Sequence, residues 1–410
     1  MAKTIFFSVG EPSGDLHGAN LIRALQAGSG ETIRCVGYGG PRMRKAGAEL
    51  HYDLTTLAVM GFLQVFWKLP QFFKLSSRAA RIFDEQRPDA VVLIDFPGFN
   101  WHIARHAKKR GVPVFYYGTP QVWGWASWRV KKLRRDVDHG LCKLPFEEPW
   151  LRERGVNATY VGHPYFDELN SRRLDEAALE RLSDDERPLV ALLPGSRTQE
   201  VKANFGTLLN AMKKIRARVP KARFVVAAFK PAHAEGILRM IDDAGLIKTE
   251  GPSVCVGQTP EVIESATCCL AVSGSVSLEL LHHAKPTAIV YKTSRLLYLA
   301  QSYFRRVPYI TLVNLLTAPK LFPEKVGVYD PDSPDDAHAL MPEYLTYSDC
   351  SDRLADHAVE WLTNDDARAD LIARMEELRR RVDTPGASER AAAYVLRELQ
   401  VTPGAGRQAA

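Results

Sequence analysis

The stretch "SVGEPSGDLHGAN", residues 8–20, decides the fold that we predict for this chain. It follows a short apolar run at residues 4–9, whose composition is typical of a β-strand. It precedes Leu21, Ile22 and Leu25, whose spacing places them on one face of a helix. A strand, a turn of small and polar residues and a helix are the beginning of a doubly wound α/β domain. We therefore expect this turn at the carboxyl edge of the first strand, where open parallel sheets bind their ligands.

The glycines of this turn argue against two common nucleotide sites. Gly10, Gly14 and Gly18 are four residues apart, whereas a dinucleotide-binding turn needs the spacing GxGxxG. No glycine-lysine pair followed by Ser or Thr occurs in the chain, so a P-loop is excluded as well. We predict instead a polar wall for a substrate, and a simple helix-capping role for Ser13 or Asp15 remains the alternative. The wall consists of Glu11, Ser13, Asp15 and His17.

The length and the strand pattern predict two domains. A chain of 410 residues exceeds what one hydrophobic core usually serves. Short runs that are apolar on both faces alternate with helical patterns in both halves, which indicates Rossmann-like, doubly wound parallel sheets. The charged stretch at residues 169–187 has no strand signal. We predict domains at residues 1–168 and 188–360, a linker at 169–187 and a flexible tail at 401–410.

The composition excludes several classes of protein. With 46% hydrophobic and 25% charged residues, the chain is typical of a folded protein. Its six cysteines show neither a CxxC pair nor the spacing of metal ligands, so we expect reduced thiols and no metal site. The N-terminus lacks a long apolar secretory segment, and no run is long enough to span a membrane. These features predict a cytoplasmic protein.

The positive charge is concentrated in the first domain. Residues 1–168 contain 23 Lys and Arg against 16 Asp and Glu, a balance of +7, whereas the whole chain carries +6. This excess predicts an anionic partner for the first domain, which could be nucleic acid, a phosphorylated substrate or an anionic lipid. Ordinary solubilising charge is the alternative.

Asp95 is the candidate general base. It follows the buried run "VVLI" and begins the turn "DFPGFN", residues 95–100. A carboxylate that emerges from the carboxyl edge of a parallel sheet is well placed to accept a proton from a substrate hydroxyl. The alternative is that Asp95 caps the following turn or helix.

Two turns of the second domain predict an anion site. "LLPGSRTQEV", residues 192–201, is a strand followed by a turn and a helix start, so backbone N–H groups, a helix terminus and Arg197 meet there. "SGSVSLE", residues 273–279, repeats the pattern, and two such turns suit a diphosphate. Glu279 is a candidate for ribose hydroxyls or a plain first-turn glutamate. The other predicted residues are Gly195, Ser196, Ser273, Gly274, Ser275 and Ser277.

An aromatic stripe at residues 59–75 is a candidate membrane contact. Its composition, with lysines among the rings, suits the interface of a bilayer, although such a stripe is also typical of a hydrophobic core. Nearby basic runs at residues 108–110 and 129–135 favour a lipid-facing surface. The stripe contains Phe62, Phe66, Trp67, Phe72 and Phe73.

Taken in order, the motifs resemble those of the lipid-A-disaccharide synthase family over nearly the whole chain. The resemblance rests on "GEPSGDLHG" at residues 10–18, "DFPGFN" at 95–100, "PQVWGW" at 120–125, "LPFEE" at 144–148, "LLPGSRTQEV" at 192–201, "SGSVSLE" at 273–279 and "NLL" at 314–316. Departures from the family pattern, such as Pro12 and Gly124, are small or local and concern loop shape and acyl-chain preference.

The resemblance implies a fold and a reaction. The fold is the B-type glycosyltransferase fold, two Rossmann-like domains facing across a cleft, with a C-terminal helix at about residues 370–400 packing back on the first. The reaction joins UDP-2,3-diacylglucosamine to 2,3-diacylglucosamine 1-phosphate (lipid X) with inversion, giving a β-1,6 disaccharide and UDP. Asp95 matches the family's base, and Asn314 matches an asparagine associated with the UDP-sugar. Asn100 and Gly14 join Glu11, Ser13, Asp15 and His17 as acceptor-site residues.

The resemblance further implies no metal or other cofactor, an anionic membrane surface as partner, no nucleic acid, and peripheral association with the inner face of the inner membrane, with an oligomer possible. Two alternatives remain on the residues alone. The shared scaffold also fits a UDP-N-acetylglucosamine epimerase or a UDP-sugar transferase with another acceptor. The basic first domain also fits an RNA-binding or membrane-recruited scaffold, although the aromatic-basic signatures of RNA modules are missing.

Overall fold

The computed structural model describes residues 2–58, 69–246 and 250–401 and divides the chain into two compact α/β units. Unit 1 comprises Met1–Asn170 and Thr384–Ala410, and unit 2 comprises Ser171–Asp383. Unit 2 thus begins within the segment 169–187 for which we predicted a linker. This segment carries helical structure, because its apolar residues Ala178 and Leu182 are buried.

Unit 1 contains a parallel sheet of seven strands in the order β3-β2-β1-β4-β5-β6-β7. The strands are β1 Lys3–Val9, β2 Ile33–Gly39, β3 Glu49–Asp53, β4 Ala90–Ile94, β5 Val114–Tyr117, β6 His139–Cys142 and β7 Ala158–Tyr160. From β1 the chain adds β2 and β3 towards one edge of the sheet, and from β4 it adds β5, β6 and β7 towards the other edge. Because these two strands are neighbours, with Val9 paired to Ile94, a crevice opens between the turns that follow them.

Helices cover both faces of this sheet, as the uniformly apolar strand β4, "AVVLI", requires. They are α1 Pro12–Gly28, α2 Pro41–Lys45, α3 Thr55–Ala58, α4 Leu69–Gln86, α5 Pro97–Lys108, α6 Val122–Trp125, α7 Val130–Asp136, α8 Glu147–Arg152 and α9 Pro164–Ser171. The core packs alternate side chains of β1, among them Ile5 and Phe7, against the buried face of α1. That face contains Leu21, Ile22 and Leu25, the residues whose spacing predicted the helix.

Unit 2 contains a parallel sheet of six strands in the order β10-β9-β8-β11-β12-β13. The strands are β8 Leu189–Leu193, β9 Arg223–Ala228, β10 Ser253–Val256, β11 Cys268–Val272, β12 Thr287–Lys292 and β13 Glu343–Thr346. Here the winding direction changes between β8 and β11, which are again neighbours. The second crevice therefore lies between the turns after these two strands.

The helices of unit 2 are α10 Glu176–Ser183, α11 Thr198–Arg218, α12 Pro231–Asp243, α13 Thr259–Ser265, α14 Val276–His282, α15 Arg295–Phe304, α16 Leu312–Thr317, α17 Ser351–Thr363 and α18 Asp365–Val382. The predicted fold class, two Rossmann-like parallel-sheet units, is confirmed by these two sheets. All six cysteines are free thiols.

The C-terminal region contains two helices where we expected one at about residues 370–400. The first, α18, belongs to unit 2, and the second, α19 at Ala387–Glu398, packs on α1 in unit 1. The chain turns at Gly386, whose φ of 92° lies in the left-handed region that favours glycine. The Asp167 carboxylate accepts hydrogen bonds from the N–H groups of Gly386, Ala387 and Ser388 at 2.7, 3.0 and 2.8 Å, and so caps α19.

Candidate active site

The crevice of unit 1 brings together Glu11, which follows β1, and Asp95, which follows β4. Both residues line a pocket of about 290 Å³ at the carboxyl edge of the sheet. The turns after β5 and β6 supply further walls, including the exposed indole of Trp125, Arg129 and Lys143. The edge predicted from residues 8–20 is therefore a pocket in which two carboxylates and two cations meet.

The backbone at Asp95 is strained and held in place by buried side chains. Asp95 and Phe96 have φ angles of 49° and 46°, a left-handed conformation that costs a residue with a side chain about 1–3 kcal/mol. The carbonyl of Asp95 accepts hydrogen bonds from Nδ2 of Asn100 at 2.7 Å and from the hydroxyl of Tyr116 at 2.7 Å. Asn100 is itself fixed by the hydroxyl of Ser8, which donates to Oδ1 at 2.6 Å. This network fixes the direction in which the Asp95 carboxylate leaves the sheet.

Two glycines make room for this turn. A Cβ atom at Gly10 would lie 2.4 Å from Cγ of Phe96, and one at Gly14 would lie 3.0 Å from Oδ2 of Asp95. A methyl group at Gly10 would displace the Phe96 ring, and one at Gly14 would press on the Asp95 carboxylate. Gly10 and Gly14, whose spacing argued against a dinucleotide site, thus allow the Asp95–Phe96 turn to pack closely against the turn after β1.

Lys143 is the cation that faces Asp95. Its Nζ lies 3.5 Å from Oδ1 of Asp95, and the two side chains are only 14% and 19% exposed. The buried carboxylate of Glu147 positions the lysine, because Oε2 accepts the N–H groups of Lys143 and Leu144 at 2.9 and 3.0 Å. Nε1 of Trp123 donates to the other oxygen of Glu147 at 2.9 Å. Sequence reasoning missed Lys143, although its place directly after a strand end is the same signal that marked Asp95.

His17 and His163 lie close to this pair and are buried. Burial lowers the pKa of His17 to about 4, although the Asp95 carboxylate opposes this effect. Burial also lowers the pKa of His163 well below its usual value, and the Lys143 charge adds to the effect. Both rings are therefore neutral at pH 7. Among the described residues, Nδ1 of His17 has no hydrogen-bond partner.

Asp15 and Asn100 both have roles inside the fold, and their predicted part in the acceptor wall stays a prediction. The Asp15 carboxylate is 3% exposed and accepts the N–H groups of Gly40, Arg42 and Met43 at 2.9, 2.9 and 3.1 Å, so it caps α2. Asn100 is fully buried beneath the Asp95 turn. Of the other predicted wall residues, Ser13 is exposed and Glu11 is half-buried beside the pocket.

In unit 2 the crevice places the turn at residues 194–197 beside the turn at residues 273–275. Gly195 has a φ of 106°, and a Cβ atom there would lie 2.8 Å from Oε2 of Glu200. The same Oε2 accepts the N–H of Arg197 at 3.1 Å, which holds the turn against the start of α11. Arg197 has a side chain that is 76% exposed, with Nη1 2.8 Å from Oε1 of Glu200. An exposed guanidinium at the positive end of a 21-residue helix favours an anionic group.

The second turn exposes Gly274 and Ser275, whereas its other hydroxyls are used within the protein. Ser277 is buried and donates to the carbonyl of Gly274 at 3.0 Å. Ser273 is half-buried, and its hydroxyl donates to the carbonyl of Ile310 at 3.4 Å. The exposed part of the predicted anion site in this turn therefore consists of Gly274 and Ser275.

Glu279 and Asn314 are held by protein partners. Glu279 is 5% exposed and forms an ion pair with Arg172. Asn314 is fully buried, donates to the carbonyl of Met341 at 2.7 Å and to Oε2 of Glu343 at 3.0 Å, and accepts the N–H of Leu340 at 3.0 Å. These contacts join α16 to the start of β13 and the residues just before it, and the sugar contact of Asn314 stays a prediction.

The predicted membrane stripe is described only in part. Phe62, Phe66 and Trp67 lie outside the described residues. Phe72 packs against the rings of Phe96 and Phe99, with centroids 5.7 and 5.8 Å apart, and Phe73 is 60% exposed. Within residues 2–58, 69–246 and 250–401, no helix is long and apolar enough to cross a membrane. The same part of the chain contains no cluster of three or more His, Cys, Asp or Glu side chains arranged to hold a metal ion.

Solved structures of low sequence identity share this architecture. An S. aureus MnaA-UDP co-structure matches with a TM-score of 0.62 and 13% identity, covering 98% of this chain and 98% of that one. The glycotransferase of kitacinnamycin matches with a TM-score of 0.58 and 18% identity, covering 97% and 99% of the two chains. The fold is thus that of the B-type glycosyltransferases.

Sequence comparison identifies the family. Residues 5–342 match the family model described as lipid-A-disaccharide synthetase. A lipid-A-disaccharide synthase of Myxococcus xanthus is 32% identical over 396 residues, which cover 96% of this chain and 97% of that protein. The chain belongs to the lipid-A-disaccharide synthetase family, which confirms the resemblance seen in the motifs. It is accordingly an enzyme of the glycosyltransferase class.

Proposed function

We propose that this enzyme transfers 2,3-diacylglucosamine from UDP to 2,3-diacylglucosamine 1-phosphate, forming a β-1,6-linked disaccharide 1-phosphate and UDP. The observation that carries the proposal is the Asp95 carboxylate, which is fixed by a strained turn, paired with Lys143 and open to the pocket of unit 1. A rigid, partly desolvated carboxylate at a sheet edge is suited to remove a proton from a bound hydroxyl.

The reaction is a single displacement. Asp95 accepts the proton of the acceptor's 6-hydroxyl while that oxygen forms a bond to the anomeric carbon of the donor. The bond between the anomeric carbon and the phosphate oxygen breaks, and UDP leaves with its electron pair. Because attack and departure occur on opposite faces of one carbon, the configuration inverts and the product is the β anomer. The charge that develops on the leaving group is the part of the reaction that the protein must stabilise.

For the donor, we propose that the diphosphate binds in the crevice of unit 2. The turn at residues 194–197 offers backbone N–H groups, the start of α11 and the exposed guanidinium of Arg197. The exposed backbone at Gly274 and Ser275 adds a second contact. Glu200 holds the first turn in shape through Arg197 and against Gly195, so it is a positioning residue.

For the acceptor, we propose that the sugar lies in the pocket of unit 1. The indole of Trp125 is 51% exposed and offers an apolar face for a sugar ring. The Arg129 guanidinium lies 4.7 Å from the centre of that indole and is a cation suited to the acceptor's 1-phosphate. Glu11 lines the same pocket and contributes to its polar side, and the exposed Ser13 lies two residues further along the chain.

We also propose that unit 1 contacts an anionic membrane surface, since both acyl-sugar substrates reside in lipid. The exposed ring of Phe73 on α4 and the excess of basic residues in the first 168 positions support this contact. The enzyme would then act at the inner face of the inner membrane.

The decisive assay measures UDP release from UDP-2,3-diacylglucosamine with and without the 1-phosphate acceptor. Release that depends on the acceptor is the expected result. Asp95→Asn should lower kcat by about 100-fold to 10,000-fold, the usual scale for losing a general base, and should leave UDP binding unchanged. The control is Asp84→Asn, an exposed carboxylate paired with Arg110 on the surface. Near-normal turnover by the Asp95 variant would remove Asp95 from the mechanism.

Product analysis with UDP-N-acetylglucosamine as substrate separates the epimerase alternative, since an epimerase would convert this UDP-sugar without an acceptor. Membership of a family of transferases leaves the RNA-binding scaffold without support. We therefore retain the transferase reaction as the function of this chain.

A further inference from the structure

Helix α15 exposes its apolar face to solvent. Leu296, Leu299 and Tyr303 are 81%, 63% and 78% exposed, and Leu297 and Phe304 are about half exposed. None of the ten residues of α15 is buried. An amphipathic helix of a water-surrounded protein normally turns this face towards the core. Contiguous exposed apolar side chains of this kind mark an interaction surface.

The apolar residues form one stripe. At 100° per residue, Leu299, Tyr303, Leu296, Ala300, Phe304 and Leu297 follow one another around less than half of the helix circumference. The opposite side carries Gln301 and Tyr298, and the ring of Tyr298 packs 5.2 Å from that of Tyr347. The polar side therefore faces the protein and the apolar side faces outwards, the reverse of the usual arrangement.

The charged residues in the segment that contains the stripe are all basic. Residues 292–306 contain Lys292, Arg295, Arg305 and Arg306 and no Asp or Glu. Arg295 and Arg306 are exposed at the two ends of the helix. An apolar stripe with cations at both ends and no acidic residue is complementary to a surface of anionic headgroups over acyl chains.

The position of α15 relates this surface to the crevice of unit 2. The helix follows β12, which is the neighbour of β11, and all strands of this sheet run parallel. The helix therefore starts at the same sheet edge as the turns at residues 194–197 and 273–275. A lipid surface touching α15 lies at the edge to which an acylated donor would come.

We infer that α15 inserts its apolar face into the interface of an anionic lipid bilayer and forms a membrane contact of unit 2. A second copy of the chain is the less suitable occupant. A ten-residue helix is about 15 Å long. One face of it therefore offers much less area than the roughly 800 Å² that each partner buries in a standard stable interface. The inference stands on the exposure and charge of α15 and does not require the proposed reaction.

The test is co-sedimentation of the full chain with lipid vesicles in which about a third of the lipid is phosphatidylglycerol, compared with pure phosphatidylcholine. The variant Leu296→Ser/Tyr303→Ser should lower the partition coefficient for anionic vesicles about tenfold. Arg306→Ala should weaken binding to the anionic vesicles and leave the weak binding to neutral vesicles unchanged. The matched control is Leu238→Ser/Val256→Ser, which removes exposed apolar side chains elsewhere in unit 2 and should change binding less than twofold.

Hydrogen exchange of the unaltered chain provides a measurement that needs no variant. Amides of residues 295–304 should gain protection on addition of anionic vesicles, whereas those of α12 should not. Unchanged protection of α15, or unchanged vesicle binding by a folded Leu296→Ser/Tyr303→Ser variant, would overturn the inference. Light scattering that shows an oligomer converted to monomers by the variant, with vesicle binding intact, would assign the face to a second copy instead. These measurements do not depend on the UDP-release assay, so a negative result in that assay would not change their interpretation.

Discussion

The Nζ atom of Lys143 lies 3.5 Å from Oδ1 of Asp95, at the carboxyl edge of the sheet in unit 1. The lysine reaches this place because Glu147 binds its backbone N–H and is in turn held by Trp123. The aspartate reaches it through the left-handed turn that Asn100 and Tyr116 hold. Two separate buried networks thus position one ion pair that is only slightly exposed, at the wall of the pocket.

We expect Lys143→Met to lower kcat by about 10-fold to 100-fold while KM changes little, because the lysine orients the base rather than binding the substrate. Lys143→Arg should restore part of the activity, since it keeps the positive charge. The measurement is steady-state UDP release with both substrates varied. A rise in KM with kcat unchanged would show that Lys143 binds the acceptor instead.

We expect Gly195→Ala to weaken UDP binding by at least about tenfold, because a side chain at a φ of 106° is strained and its Cβ meets Glu200 at 2.8 Å. The turn must then shift away from the start of α11. Titration calorimetry with UDP measures the effect. The control is Gly236→Ala on α12, where a Cβ meets nothing within 4 Å and the helix should become slightly more stable. Equal affinities in the two variants would refute the role of this turn.

Asp15→Ala should lower the free energy of unfolding by about 3 kcal/mol, because three backbone N–H groups at the start of α2 lose their acceptor in a buried place. Tryptophan fluorescence in denaturant is a suitable probe, since six of the seven tryptophans lie within residues 1–170. Asp84→Asn should change stability by less than about 1 kcal/mol, as expected for an exposed pair. If Asp15→Ala instead kept full stability and lost acceptor binding, the predicted contact between Asp15 and the acceptor would be supported and the capping role refuted.

The stability of unit 1 should fall between pH 6.5 and about pH 4. Burial lowers the pKa of His17 to about 4 in the folded chain, whereas the unfolded chain has the ordinary value of 6.5. Over this range His17 binds a proton in the unfolded state but stays neutral in the folded state, so a lower pH favours unfolding. His17→Gln should reduce the slope of the unfolding free energy against pH, and a remainder should persist because the pKa of His163 is lowered too. Identical slopes for the variant and the parent would contradict the burial of a neutral His17.

The local pattern of the chain was sufficient to predict the two parallel sheets and the edge at which the pocket of unit 1 lies. Strand runs such as "AVVLI" are apolar on both faces only when helices cover both sides, and the polar turn after such a strand must lie at its carboxyl end. The same logic predicted Asp95 and the turn at Gly195, because both follow strands directly. These features depend on neighbours in sequence, which is why they can be inferred without coordinates.

Only the tertiary structure decided which polar residues face the pocket. Four predicted site residues are as polar as Asp95, yet each is buried against a group that is distant in the chain. The pairs are Asp15 with Gly40, Asn100 with Ser8, Glu279 with Arg172 and Asn314 with Glu343. Lys143 meets Asp95 only because β4, β5 and β6 are neighbours in the sheet. The exposure of the apolar face of α15 could not be predicted from the sequence either. A helical pattern indicates which side of a helix is apolar, but it does not indicate whether that side contacts the protein or the solvent. Strand pairing joins residues that are distant in the chain. The free energy that favours one pairing comes from packing between distant segments, so no local stretch of sequence determines it.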